Sequence, residues 1–111
     1  MKNLIKKCYV YKITNNIINK SYVGSRLSNY PENDADYMGS SNTLYREYDK
    51  YNQINFSKII LEIYENISKK QLLDNESNYI LYYNTLMPNG YNKNLPNKHL
   101  KFYCSGENLG K

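Results

Sequence analysis

The stretch YVYKITNNIINKSYVGSR, residues 9–26, sets two runs rich in β-branched and aromatic residues around an asparagine-led junction. That is the composition of a β-hairpin. If Thr14 pairs with Asn19 around the four-residue loop 15–18, then Tyr11 lies opposite Tyr22, Ile13 opposite Lys20 and Tyr9 opposite Gly24. Side chains alternate along a strand, so Arg26 joins the Tyr22 face. A loop one residue longer or shorter would put Tyr11 and Tyr22 on opposite sides.

Working outward, residues 27–41 (LSNYPENDADYMGSS) hold Pro31, Gly39 and the acidic trio Glu32, Asp34 and Asp36, as an irregular loop does. Leu44, Tyr48 and Tyr51 then recur at helical spacing behind capping residues 40–42. They predict a short amphipathic helix over 42–52 with Arg46 and Lys50 on its exposed side. FSKIILEIYE, residues 56–65, alternates Ile59, Leu61 and Ile63 against Lys58, Ile60, Glu62 and Tyr64. It reads as a third strand with one well-buried face. Ser68 followed by Gln71 forms a capping box ahead of a helix over about 69–83. Leu72, Leu73, Tyr79, Ile80 and Tyr83 mark that helix's inner stripe, and Glu76 falls within it. MPNGYNKNLPNKH, residues 87–99, is rich in turn-forming residues, and no internal repeat is present.

A chain of 111 residues with 41% hydrophobic content suits one compact domain. Fifteen basic residues against ten acidic ones give a formal charge of +5, which favours encounters with polyanions without proving them. Only Arg26 and Arg46 among the cations carry a guanidinium, the rigid fork suited to phosphate. Cys8 and Cys104 stand almost a chain length apart and His99 is the sole histidine. A disulfide framework, a zinc site and a Cys-His or Ser-His nucleophile are therefore not expected. MKNLIKKCYVYK lacks a signal core and there is no apolar run of about 18 residues, so a soluble intracellular protein is expected.

An ionised carboxylate on a buried helix face costs several kcal/mol unless it is paired, hydrogen-bonded or holding a cation. Glu76 thus has two readings: a salt bridge or tyrosine hydrogen bond, or a divalent cation held by one hard oxygen with water and phosphate completing the shell. With 14 tyrosines in the chain, any single one is more often packing than chemistry. The expected hairpin face nevertheless gathers Tyr11, Tyr22, Lys20 and Arg26, with Gly24 placed where a backbone or phosphate could approach closely. A phenol, with an ordinary pKa of about 10, can act as a base near neutrality only beside positive charge, a field that Lys20 and Arg26 could supply.

Tyr11 in YVYKIT, followed by Tyr22, Val23 and Gly24 in SYVGSR, resembles the two halves of the GIY-YIG nuclease signature. The likeness continues in order. LYREYDKYNQINFSKIILEIYE, residues 44–65, is similar to that family's helix and third strand, Glu76 in ESNYI to its metal-binding glutamate, and GYN at 90–92 to its closing motif with Asn92 as the polar residue. The resemblance spans about residues 8–92. It implies an α+β domain, a central three-stranded antiparallel sheet flanked by helices, that hydrolyses DNA phosphodiester bonds with one divalent metal, Mg2+ or Mn2+. On that basis Glu76 holds the metal, Tyr11 positions or deprotonates water, Tyr22 assists by hydrogen bonding and Arg26 steadies phosphate charge. Lys20, Gly24, Ser25, Arg46 and Asn92 stand on the substrate side.

Tyr9 departs from the family pattern, standing where the first signature glycine is expected, a change tolerable if that position needs only a strand residue. Many relatives carry the arginine in a helix after the second half-motif. Here the acidic loop occupies that region, so the role passes to Arg26, as in a subgroup with YVGSR and a YMGS-like stretch, with Arg46 in reserve. Ser25 stands where some relatives carry lysine and cannot replace its charge, and Tyr30 or Tyr37 could contribute from the loop. The resemblance divides the chain into a catalytic domain, 1–95, and a tail, 96–111, in which CSGENLGK resembles the start of a modular DNA-binding motif or is an ordinary terminus. The expected function is a phage or homing-type endonuclease. The alternatives are a degenerate DNA-binding module and a purely structural protein.

Overall fold

The computed structural model describes residues 3–97, which places the tail 98–111, with His99 and Cys104, outside the described residues. Strand β1 (Ile5–Asn15) and strand β2 (Lys20–Leu27) form the hairpin. Helix α1 (Asn42–Tyr51), strand β3 (Phe56–Ile67) and helix α2 (Lys69–Tyr83) follow. The sheet is antiparallel throughout, in the order β2-β1-β3. The expected α+β architecture is therefore present, with the YVYKIT strand at its centre.

A central strand covered on both faces must be apolar in consecutive positions. Cys8, Tyr9, Val10, Tyr11 and Ile13 are accordingly all buried. Odd residues Tyr9, Tyr11 and Ile13 pack with Leu44 and Tyr48 of α1, Phe56 and Tyr91. Cys8 and Val10 join Val23 of β2 and Leu72 and Ile80 of α2 on the opposite side. The hairpin parity thus assigns each residue to one of two cores.

The loop slides one place from its expected position. Asn15 pairs with Lys20, so Ile13 faces Tyr22, Tyr11 faces Gly24 and Tyr9 faces Arg26. The loop still has four residues, and the partner changes by two, so the expected faces survive. Two asparagines decide the slide. Asn19 takes the left-handed conformation (φ 55°), which asparagine tolerates. The Asn15 amide is buried, donating to the Tyr91 hydroxyl at 3.2 Å while its oxygen accepts from the Ile17 N–H at 2.9 Å.

Both helices form where the spacing predicts. Ser41 Oγ caps α1 by accepting from the Leu44 N–H, and the Ser68–Gln71 capping box closes reciprocally on α2. The expectation of one well-buried face on β3 is corrected. Tyr11 faces Ile60 whereas Val10 faces Glu62, which leaves Leu61 as an extra residue and swaps the faces across this bulge. As β3 is also an edge, Ile59, Ile60 and Ile63 stay 50%, 38% and 48% exposed, and of the strand's residues Phe56 is buried.

The outer edge of β2 is covered by the segment after α2. The Tyr91 N–H donates to the Ser21 carbonyl at 2.8 Å, and the Asn92 amide pairs with both backbone groups of Val23 at 2.9 Å while accepting from Thr85 Oγ1 at 2.7 Å. A short asparagine thereby imitates a missing strand and blocks further pairing there. Packing runs on through Asn97, whose side chain meets Ser77 and Asp74. No helix among the described residues is long and apolar enough to cross a membrane.

Asn92→Ala would leave buried Val23 groups without partners, a penalty of about 2–5 kcal/mol. Circular dichroism should register a fall in Tm of more than about 8 °C. An unchanged Tm would show that the edge clamp contributes nothing.

Candidate active site

The register sets four β2 residues, Lys20, Tyr22, Gly24 and Arg26, on the α1 side of the sheet. Tyr11 lies across Gly24: a Cβ built on that glycine would collide with the Tyr11 phenol, and one on Gly39 would lie 3.5 Å from the same hydroxyl. Gly24 therefore makes room for the Tyr11 side chain, which occupies the space that the sequence reading left for a backbone or a phosphate. Tyr11 and Tyr22 have ring centroids 6.3 Å apart, and Tyr37 meets Tyr11 edge-on at 5.9 Å.

Arg26 reaches this cluster through the acidic loop. Its Nε donates to Asp34 Oδ2 at 2.7 Å and its guanidinium stacks on the Tyr37 ring at 3.8 Å. Asp34 Oδ2 also accepts from the Tyr9 hydroxyl at 3.1 Å. The hydrogen bond from Arg26 holds the Asp34 carboxyl below its ordinary range. Lys58 of β3 donates at 2.8 Å to the Tyr9 hydroxyl and to the carbonyls of Asp34 and Tyr37. Burial lowers that lysine's pKa, as desolvation of an ammonium does.

Glu76 approaches from the other side of β2. Ser25 pairs with Val10 and so faces α2, where its hydroxyl donates to Glu76 Oε1 at 2.6 Å. Glu76 is 9% exposed. Burial raises its pKa, against opposing contributions from the Ser25 hydrogen bond and from Lys69. Its partner is thus a neutral hydroxyl, not the tyrosine or salt bridge of the bland reading. Glu76 nevertheless acts electrostatically on the opposite face. The Tyr11 phenol is pushed far above its ordinary value by burial first, then by Tyr22, Tyr37 and Glu76. Tyr22 is pushed up to about 12 by burial, then Glu76 and Tyr37. The carboxylate and both phenols therefore share one field beside Gly24 and Ser25.

That field has the wrong sign for a phenolate, and the cations expected to supply the right one are engaged elsewhere. Lys20 lies over the Tyr91 ring at 5.0 Å near the hairpin turn, and Arg26 is held by Asp34 and Tyr37. A divalent cation would fit the residues present. Glu76 offers a hard, buried and undercompensated oxygen, and no group of three or more His, Cys, Asp or Glu occurs among the described residues. Such a site suits an ion that takes one carboxylate and keeps water and phosphate, as magnesium does, and does not suit structural zinc.

Two further expectations change. Ser25 contacts Glu76 instead of standing ready for substrate. Asn92 is 5% exposed and its amide serves the β2 edge. Arg46 is exposed on α1 about 200° around the helix from buried Leu44 and Tyr48, on the outer side where the spacing put it. Tyr9 is more than a strand residue, because its hydroxyl joins Asp34 to Lys58. Of the loop tyrosines, Tyr37 enters the cluster, while Tyr30 is 64% exposed. Asp34 and Lys58 carried no sequence signal as site residues, since an acid in a polar loop and a lysine on an edge strand are ordinarily solvated.

A raised Glu76 pKa means the folded state binds the proton more tightly than the unfolded chain. Stability is then lost as pH rises from the ordinary carboxylate value through the folded one, and the penalty persists above it. Glu76→Gln, which can still accept from Ser25, should show a Tm at neutral pH equal to or above that of wild type without divalent metal, and a flatter pH dependence. A fall of more than about 5 °C would mean the ionised carboxylate is a net stabiliser.

No model of a protein family matches the chain. It is 43% identical over 88 residues to a protein of Enterobacteria phage T4 named "Putative endonuclease segB", covering 78% of this chain and 38% of that one. The chain thus spans about two fifths of that relative's length. Among solved structures, the catalytic domain of homing endonuclease I-TevI superposes with a TM-score of 0.58 at 29% identity, over 78% of this chain and 98% of that domain. A mutant of the I-TevI catalytic domain matches with the same TM-score at 30% identity, over 80% and 95%. The fold agrees with these likenesses, and the chain belongs to the GIY-YIG nuclease family.

Proposed function

We propose that the chain is the catalytic part of a DNA endonuclease of phage or homing type that hydrolyses phosphodiester bonds with water and depends on Mg2+ or Mn2+. The observation that carries this reading is Glu76: a buried carboxylate, hydrogen-bonded to a neutral hydroxyl, in the same electrostatic field as Tyr11 and Tyr22. The likeness to a phage protein named as an endonuclease and to the I-TevI catalytic domain supports the endonuclease class, and the net charge of +5 suits a polyanionic substrate inside a cell.

Glu76 would hold the divalent ion, which supplies a positive field for the phosphate and for the attacking oxygen. Arg26 stabilises negative charge that develops on the phosphate oxygens, in a pocket where its orientation is already set. Its side chain keeps 37% of its surface exposed, so substrate can reach it. Tyr11 Oη, neutral at pH 7, orients water by hydrogen bonding, which favours the positioning half of the sequence expectation over direct deprotonation. Tyr22 adds a second phenol whose proton is also retained at pH 7. Gly24 keeps β2 thin enough for Tyr11 to lie across it.

Supercoiled plasmid incubated with Mg2+ or Mn2+ should be nicked by wild type, with losses of about 10²–10³-fold for Arg26→Ala and Glu76→Ala. Equal nicking by all three proteins would point to a contaminant. Salt-sensitive DNA binding without cleavage under either metal would instead identify a degenerate binding module.

A further inference from the structure

Arg26 poses a problem that its role in cleavage leaves open. It follows Ser25 directly on an edge strand, and its long side chain has several rotatable bonds, so without support it would sample many positions. Yet the guanidinium is held on two sides. Asp34 Oδ2 takes the Nε proton at 2.7 Å, and the Tyr37 ring lies 3.8 Å beneath the guanidinium carbon. Nε is the fork's innermost nitrogen, so an acceptor there fixes the plane while the terminal amino groups remain at the outer end of the side chain.

The loop carrying these two side chains is itself pinned. Lys58 Nζ donates at 2.8 Å to the carbonyl of Asp34, the carbonyl of Tyr37 and the hydroxyl of Tyr9. Those bonds use all three protons of an ammonium. They tie both ends of the Asp34–Tyr37 segment to the sheet at β1 and β3. Tyr9, directly opposite Arg26 in the register, closes the circuit by donating to Asp34. A surface salt bridge made for charge balance alone would not need a half-buried lysine to hold the backbone beneath it.

We infer that Asp34 and Lys58 are positioning residues for phosphodiester cleavage: Asp34 sets the plane of the Arg26 guanidinium, and Lys58 locks the loop that presents Asp34 and Tyr37 to it. This rests on the endonuclease reading above. The opposite possibility is that Asp34 occupies Arg26 as a surrogate for the phosphate and must be displaced, in which case removing its charge accelerates cleavage.

Nicking rates and KM for supercoiled DNA with Mg2+ distinguish the two, measured for Asp34→Asn, Asp34→Glu, Lys58→Met and Lys58→Arg. Misplacing the guanidinium should lower the rate at saturating DNA by roughly 100-fold, with KM changed little, in Asp34→Asn and Lys58→Met. Asp34→Glu should recover part of the loss. Arg26 Nε–H, followed by 15N NMR in the folded metal-free protein, should exchange slowly with solvent in wild type and rapidly in Asp34→Asn. That readout requires neither turnover nor an unchanged melting temperature. Asp34→Asn nicking as fast as wild type or faster, or an Arg26 Nε–H equally protected in both, would overturn the assignment. A wild type that fails to nick while Arg26 Nε–H remains protected would remove the endonuclease reading and this role with it. A wild type that nicks with Asp34→Asn fully active removes the role alone.

Discussion

The hairpin's alternation is the constraint on which the site depends. With β1 buried on both sides, every residue of β2 is committed to the α1 face or the α2 face, and Gly24 and Ser25 fall on opposite ones. Tyr11 crosses the strand at the glycine, and Glu76 meets it at the serine. Two adjacent residues on an edge strand thus join two layers that the sheet would otherwise separate. The Asn92 clamp on Val23 keeps that strand in place and closes its outer edge without a further strand.

The electrostatics of this junction are unfavourable as they stand. Burial raises the pKa of Glu76, and burial with the Glu76 charge raises those of Tyr11 and Tyr22. Each group would be relieved by a cation in the same place; Lys69 offsets only part of the Glu76 penalty, and Lys20 and Arg26 are engaged with Tyr91, Asp34 and Tyr37. A site that carries stored unfavourable charge is how proteins poise groups for chemistry. Here it also gives a metal-dependent reading a physical basis that family likeness alone would lack.

Local patterns carried most of the fold. The Ser68–Gln71 box, the inner stripe of α2 and the parity of the hairpin all depend on neighbours in the chain, and all appear in the structure. Parity also contained an unused signal: Ser25 shares its face with Val23 and so had to point toward α2. The rest was decided by distant partners. The one-place slide of the loop follows from Asn15 meeting Tyr91, 76 positions away, and the β3 bulge follows from how Leu61 packs under α2. Asp34, Tyr37 and Lys58 come together only once β3 lies beside β1. Helical spacing already put Arg46 on the outer side of α1, but Lys20 was visible only as a cation, and charge without a known direction did not show that it faces Tyr91.

The central proposal is that Glu76 holds a divalent ion within the electrostatic field it shares with Tyr11 and Tyr22. A crystal soaked in Mn2+ and measured at the manganese absorption edge tests it most directly. An anomalous peak is expected within about 2.0–2.3 Å of a Glu76 carboxylate oxygen, on the side facing the two phenols. A peak only at other surface carboxylates, with Glu76 still bonded to Ser25 and unliganded, would contradict it.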